Sequence, residues 1–310
     1  MSFSLGPSAI VGELYHESDI IIHGNNDEAA IAIGTGTVNQ GERAVAVGDD
    51  AGRNNQGQNA VAIGHRAGFE DQVQNGVAIG LLAGESGQKD SGVAIGLFAG
   101  KLNQGLHSVA VGLQAGETIQ GDFSVAVGEN AGQTRQGENC TAVGHDAADE
   151  DQQEFGTAVG YRAGFRRQQE NAVAVGHAAG EEDQQENAVA MGLNAGLRTQ
   201  QNDAVALGHD AGEYNQQELA VAIGYGAGQY TQGEDAVAIG AGAGKGLFGP
   251  PQVGQHERTI IINARGNLNP LNSDRAKAFF VAPIRGVAHG LGAGVLKYDT
   301  TTFEITYSTN

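Results

Sequence analysis

A glycine recurs with a 16-residue period, at Gly48, Gly64, Gly80 and onward through Gly224 and Gly240, thirteen times without a slip. A repeat this regular dictates a stack of equivalent units, because a globular core has no reason to be periodic. Each of these glycines has Ala two residues before it and Ala three residues after it. A second Gly follows the later Ala in every unit but one, where Ala148 stands. Gln keeps the same register from Gln40, Gln56 and Gln72 to Gln232. An earlier unit ends at Gly34, a 14-residue step before Gly48. The array therefore covers residues 30–247 in about 14 coils.

A helical pair needs more than about 30 residues per repeat, and two glycines per unit among β-branched residues oppose helix. The residues before each glycine alternate instead, as in Ala60-Val61-Ala62-Ile63, which is the period of a strand. One period accommodates two short strands and two turns. The expected fold is all-β: a parallel β-solenoid in which each coil adds about 4.8 Å to a rod. The repeat glycine is expected to turn the chain through a conformation closed to other residues.

Val and Ile, two per coil, are expected to fill a thin interior. That assignment leaves the alanine face over, and a ladder of small apolar residues reads as a subunit interface. Ala46, Ala62, Ala78, Ala94, Ala110 and Ala126 are its candidates, and the chain is expected to be an obligate homo-oligomer. Variable positions after the repeat glycine would display any recognition surface: Leu81, Leu82, Leu97, Phe98, Tyr161, Arg162 and Phe165. The glutamines either hydrogen-bond along the axis or bind a ligand as a row. A register-fixed residue in every coil describes a scaffold better than a site.

Composition narrows the function. Seventeen Lys and Arg stand against 36 Asp and Glu, a formal charge of -19, which opposes nucleic acid or an anionic membrane as partner. No stretch approaches the roughly 20 apolar residues of a membrane helix, so membrane insertion is not expected. The first dozen residues lack the basic and apolar regions of a secretory signal. Cys140, the single cysteine, excludes an intrachain disulfide and occupies a column of small residues with Ala60, Gly76, Ser108 and Ala172.

At the strand motif, Ser108 to Gly112 (SVAVG) and Ala60 to Gly64 (AVAIG), the array resembles the YadA-like head repeats of trimeric adhesins. The resemblance implies a left-handed β-roll in which three chains pack side by side, commonly in 14-residue coils, as in the step from Gly34 to Gly48. Neither a heptad stalk nor a translocating barrel is read after the array, so a complete bacterial autotransporter is not expected. The segments Thr259 to Asn269, Ala278 to Gly286 and Val295 to Ser308 resemble those following such repeats in tail-fibre and surface proteins of phages and large DNA viruses.

Around the array the reading is an N-terminal cap over 1–29, a linker over 248–258 containing Pro250 and Pro251, and a β cap or trimerisation segment over 259–310. Val295 to Asp299 and Phe303 to Tyr307 alternate as a hairpin. A cap is needed because an open solenoid end exposes unpaired strand edges.

Chemistry-bearing residues follow the repeat too. His65, His145, His177 and His209 share one register and read as exposed turn residues, two of them roughly 10 Å apart by coil rise, too far to share a metal. Glu138, Glu154, Glu170, Glu186, Glu218 and Glu234 form an acidic column that reads as a solvated face. No nucleophile motif or phosphate loop has the required context. The expectation is a non-enzymatic homotrimeric fibre or spike without cofactor or metal. Its expected place is the surface of a virus particle, with other virion proteins and a host glycan or protein as partners. The alternatives are a bacterial adhesin head on the cell surface and, more remotely, a polysaccharide-active solenoid enzyme.

Overall fold

The computed structural model describes residues 20–23, 30–37, 40–247, 254–266, 270–282, 295–298 and 305–308. Every regular element among them is a strand. One sheet of 17 strands, sheet I, runs from Ile20–His23 to Phe279–Ala282. Its repeating members are the three residues before each repeat glycine, from Val45–Val47 to Val237–Ile239. Neighbouring coils pair parallel and without slip, Val109 on Val125 and Val125 on Thr141, with Ala110 on Ala126 and Ala126 on Ala142. A second sheet, sheet II, closes the other side of each coil, from Leu102–Gln104 to Tyr230–Gln232 in nine strands. Isolated bridges at Asn54, Glu70 and Ser86 carry it toward the N-terminus. The expected parallel solenoid is the observed one. Fifteen steps separate the 16 parallel strands of sheet I, a rod of about 70 Å at the usual strand spacing.

The two faces of sheet I are opposite to the sequence expectation. The middle alanine of each strand, including Ala46, Ala62, Ala78, Ala94, Ala110 and Ala126, is 0 % exposed within a single chain. These alanines line the interior and are no subunit interface. The flanking Val and Ile point outward and are half-buried or exposed, Ile63 at 38 % and Ile95 at 37 %. The cause is the width of the lumen. Along the repeat it holds two alanine columns, a third column of Ala, Gly, Ser or Cys, and one column of fully buried glutamines.

Each glutamine bridges that narrow space. Gln88 Nε2 lies 2.9 Å from the Val77 carbonyl of sheet I, 3.1 Å from the Gly92 carbonyl and 2.9 Å from Oε1 of Gln104 in the next coil. The side-chain chain runs unbroken from Gln56 through Gln136 and Gln200 to Gln255. One amide thus ties sheet to sheet within a coil and coil to coil along the axis. The structural reading of the column holds.

The repeat glycine is required twice over. Gly112 has φ +135°, and a Cβ there would sit 2.4 Å from the carbonyl oxygen of Gly128. Backbone stacks on backbone at this corner, leaving no room for a side chain. At the other corner the positive φ falls to Asn in several coils, among them Asn59, Asn75, Asn139 and Asn171 at 57–58°, the residue that tolerates this region best after glycine.

Both ends close the stack. Ile20–His23 pairs antiparallel with Ala30–Ile33, so the parallel edge meets a strand of reversed direction. At the other end the array continues past the linker expected over 248–258. Gln255 takes the ladder position 23 residues after Gln232, and Ile260–Asn263 pairs parallel with Val237–Ile239. Phe279–Ala282 pairs onto that strand in turn. Ile261 occupies the alanine column, 0 % exposed, with Leu271 and Phe280 against it. The steps from Val237 to Ile260 and from Ile260 to Phe279 are longer than the repeat, at 23 and 19 residues, and at this end large apolar side chains join the core cluster. Val295–Tyr298 and Ile305–Ser308 form the expected antiparallel hairpin. The greater part of the expected N-terminal cap lies outside the described residues.

Because Ala110 is interior, Ala110→Leu is expected to overpack the lumen and destabilise the fold by about 1–3 kcal/mol. A urea midpoint below wild type at an unchanged oligomeric mass is the expected result; an unchanged midpoint would place Ala110 on a free surface.

Candidate interaction surfaces

Three outward surfaces follow from this geometry: the corner after the repeat glycine, the outer face of sheet II, and the outer face of sheet I. The corner carries the seven positions singled out for recognition. Leu81, Leu97 and Tyr161 are exposed there. Leu82, Phe98 and Arg162 are half-buried and hold positive φ, 58°, 60° and 52°. Phe165 does not belong with them, because it is only 8 % exposed. The Arg162 guanidinium lies 4.2 Å from its ring centroid and that of Arg166 4.9 Å. Arg162 in turn bonds Glu181 at 2.8 Å. The same arrangement occurs six coils earlier, with Arg66 over Phe69 at 4.3 Å and bonded to Glu85 at 2.8 Å. The tetrapeptide R-A-G-F, at Arg66 to Phe69 and again at Arg162 to Phe165, was the available signal for both.

The corner histidines are exposed, as expected, and do not stand alone. Tyr161 lies between His145 and His177, stacked at 5.4 and 5.0 Å, and Tyr225 meets His209 edge-on at 4.9 Å. One column of the repeat thus becomes a ladder of rings along the axis.

On sheet II, charges of opposite sign alternate from coil to coil. Arg135 pairs with Asp151, and Arg167 with Asp183. In the adjacent column Arg166 meets Glu150 at 3.3 Å and Arg198 meets Glu182 at 3.4 Å. Each pair is exposed and contributes little alone. The alternation matters because identical charges at the coil rise would repel. The hydrogen bond from Arg135 holds the Asp151 carboxyl below the usual range.

The acidic column borders a shallow groove of about 250 Å³, lined by Gln153, Glu154, Gln169, Glu170 and Glu186. Among the described residues no three His, Cys, Asp or Glu side chains converge as metal ligands. Cys140 is buried, with its thiol 2.9 Å from the Gln153 carbonyl, and burial pushes it up to about 11, which keeps it protonated and inert.

Asp149 follows Ala148, where the repeat loses its second glycine. Its Oδ1 is buried without a hydrogen-bond partner. Burial pushes its carboxyl from 3.8 up to about 6, with Asp146 and Glu150 adding repulsion.

The outer face of sheet I is a long apolar surface. From Val45 to Ile239 its two columns present 26 side chains, two from each of 13 strands, and 24 of them are Val, Ile, Leu or Met. Parallel sheets are ordinarily covered on both faces. Among the described residues this one is covered by the lumen on one face and by no other element on the other.

Residues 28–51 match the family model of the YadA head domain repeat, in two copies. No curated protein and no solved structure matches the chain. The matched segment contains the single 14-residue step of the array, Gly34 to Gly48. The 16-residue coils carry their two additional residues between the turn alanine and the ladder glutamine, as comparison of Thr37 to Gln40 with Ala51 to Gln56 shows. The matched segment and the parallel β-solenoid that continues from it fit a YadA-like head repeat.

Asp149 sets a pH dependence. Its folded pKa lies above its unfolded one, so the folded state binds the proton more tightly, and stability falls as pH rises from about 4 through about 6. Asp149→Asn is expected to raise the thermal midpoint at pH 7.5 and to leave it nearly unchanged at pH 4. An equal shift at both pH values would remove the carboxyl as the cause.

Proposed function

We propose that this chain is the structural element of an extracellular surface fibre that assembles as a homotrimer and attaches to other surfaces, without catalysis. The outer face of sheet I carries the proposal. It is about 70 Å long and about 10 Å wide, an apolar stripe of about 700 Å² against the roughly 300–600 Å² of the largest patch on a typical monomer. Three copies side by side cover the stripe along a common axis, and the YadA-like repeat supports that number. Self-association then completes a core that a lumen of alanine and glutamine leaves small.

In that assembly the corner with Leu81, Leu97, Phe98 and Tyr161 remains for a host glycan or protein. The head-repeat match favours an adhesin-type head displayed outside the cell, the placement found on a bacterial surface. The virus-particle placement rests on the C-terminal segments, of which 267–269, 283–286 and 299–304 lie outside the described residues. Gold-labelled antibody against the chain, applied to the cells and particles of its source, distinguishes the two carriers. The alternation of paired charges and the rigid repeat favour a scaffold over an enzyme. Among the described residues no helix is long and apolar enough to cross a membrane.

Attachment is tested with beads bearing the full chain on a panel of cell surfaces. Val125→Glu, which puts a charge in the stripe, is expected to yield monomers with β-type circular dichroism and to abolish multivalent attachment. Tyr161→Ala with Leu97→Ala is expected to weaken attachment at unchanged mass. A wild-type chain that holds no surface contradicts the adhesive role, and a Val125→Glu chain that assembles like wild type contradicts the stripe as interface.

A further inference from the structure

A stack of equivalent coils poses a problem for its own assembly. Two apolar stripes with one period can slide past each other by whole coils and recover nearly the same contacts, so apolar burial alone leaves the axial register of the copies loose. Something aperiodic on the stripe has to fix it.

The stripe between Val45 and Ile239 has one interruption. Thr141 and Thr157 occupy the first outward column in two successive coils, where every other coil from Val45 to Val237 has Val. They pair directly with each other, and Val125 and Val173 flank them along the sheet. Their carbonyls accept from the glutamine ladder, at 3.2 Å from Gln152 and 2.9 Å from Gln168. Their hydroxyls have no hydrogen-bond partner among the described residues. On a free chain water satisfies them. Once a partner covers the stripe, each hydroxyl needs an acceptor or donor inside an apolar interface.

The geometry points to Thr141 and Thr157 as a register pin between copies of this chain, an inference that rests on the stripe being the subunit interface. In register, the hydroxyl layers of the copies lie at the same height. They satisfy one another directly or through trapped water, as a polar residue does in an otherwise apolar coiled-coil seam. A slip of one coil leaves one layer of each copy facing valine, and a slip of two coils leaves both layers of each copy unsatisfied. The site is incomplete in one chain, and its ligand is the same pair of hydroxyls on the neighbouring copies.

The test uses the full chain on a Cys140→Ser background, serine being the native residue of that column at Ser108 and Ser124. Chains carrying Val111→Cys and differently tagged chains carrying Val143→Cys are co-expressed and oxidised. The two positions are two coils, about 10 Å, apart along the axis, beyond the Cα separation of about 7 Å that a disulfide tolerates, so a mixed disulfide reports a slipped register. With the threonines in place, Val111→Cys chains are expected to link to one another and mixed links to stay at background. In the Thr141→Val, Thr157→Val chain, mixed links are expected to rise by at least about tenfold, the scale of one unsatisfied buried hydroxyl, because the two-coil slip they report leaves both layers unsatisfied when threonine is present. The Thr141→Ser, Thr157→Ser chain restores the background level. Mixed links that stay at background in the valine chain, or that already abound with threonine, overturn the pin. Absence of links among Val111→Cys chains themselves overturns the interface on which it rests, a different and separately visible failure.

Discussion

The amide of one glutamine per coil sets the dimensions of everything else. Gln88 and its counterparts reach a carbonyl of the opposite strand, a turn carbonyl and the next glutamine, all within 2.9–3.1 Å. Three short fixed distances leave no freedom in how far apart the two sheets stand. At that separation small side chains stand beside the amides, Ala above all, and the larger aliphatic side chains of sheet I face outward. Buried polar groups cost stability unless satisfied, and here their satisfaction is the framework. A weak apolar core and an exposed apolar stripe are two results of the same constraint.

The period, the two strands per coil, the special glycine corner and the glutamine stack are legible in the sequence because each is local. Alternation in Ala60 to Ile63 shows that two faces exist; it does not say which is inside. Hydrophobicity favours Val61 and Ile63 over Ala62, and the opposite is true, because the decisive quantity is lumen width, set by contacts between residues 11 and 16 apart. Phe165 misleads for a similar reason. A phenylalanine at a variable turn position looks displayed until the arginines that cover it are placed above it. Pro250 and Pro251 suggest a linker, while Gln255 just beyond them already carries the ladder on.

The same logic explains where the array tolerates change. Columns facing the lumen admit Ala, Ser, Cys and Gly; columns facing solvent vary widely, but in charge-alternating or ring-stacking series along the axis. Any side chain in a 16-residue repeat has its nearest neighbours in its own column, so each column is selected as a line. Among the described residues a large aliphatic side chain, Ile261, is fully buried only at the C-terminal end, where the steps between coils are longer.

The central claim is that alanine faces in, valine and isoleucine face out, and the outward stripe is covered by further copies of the chain. Light scattering coupled to size exclusion on the purified full chain tests it most directly. The account predicts a single species near three times 31.8 kDa. A stable monomer of 31.8 kDa, soluble with its stripe uncovered, would contradict it.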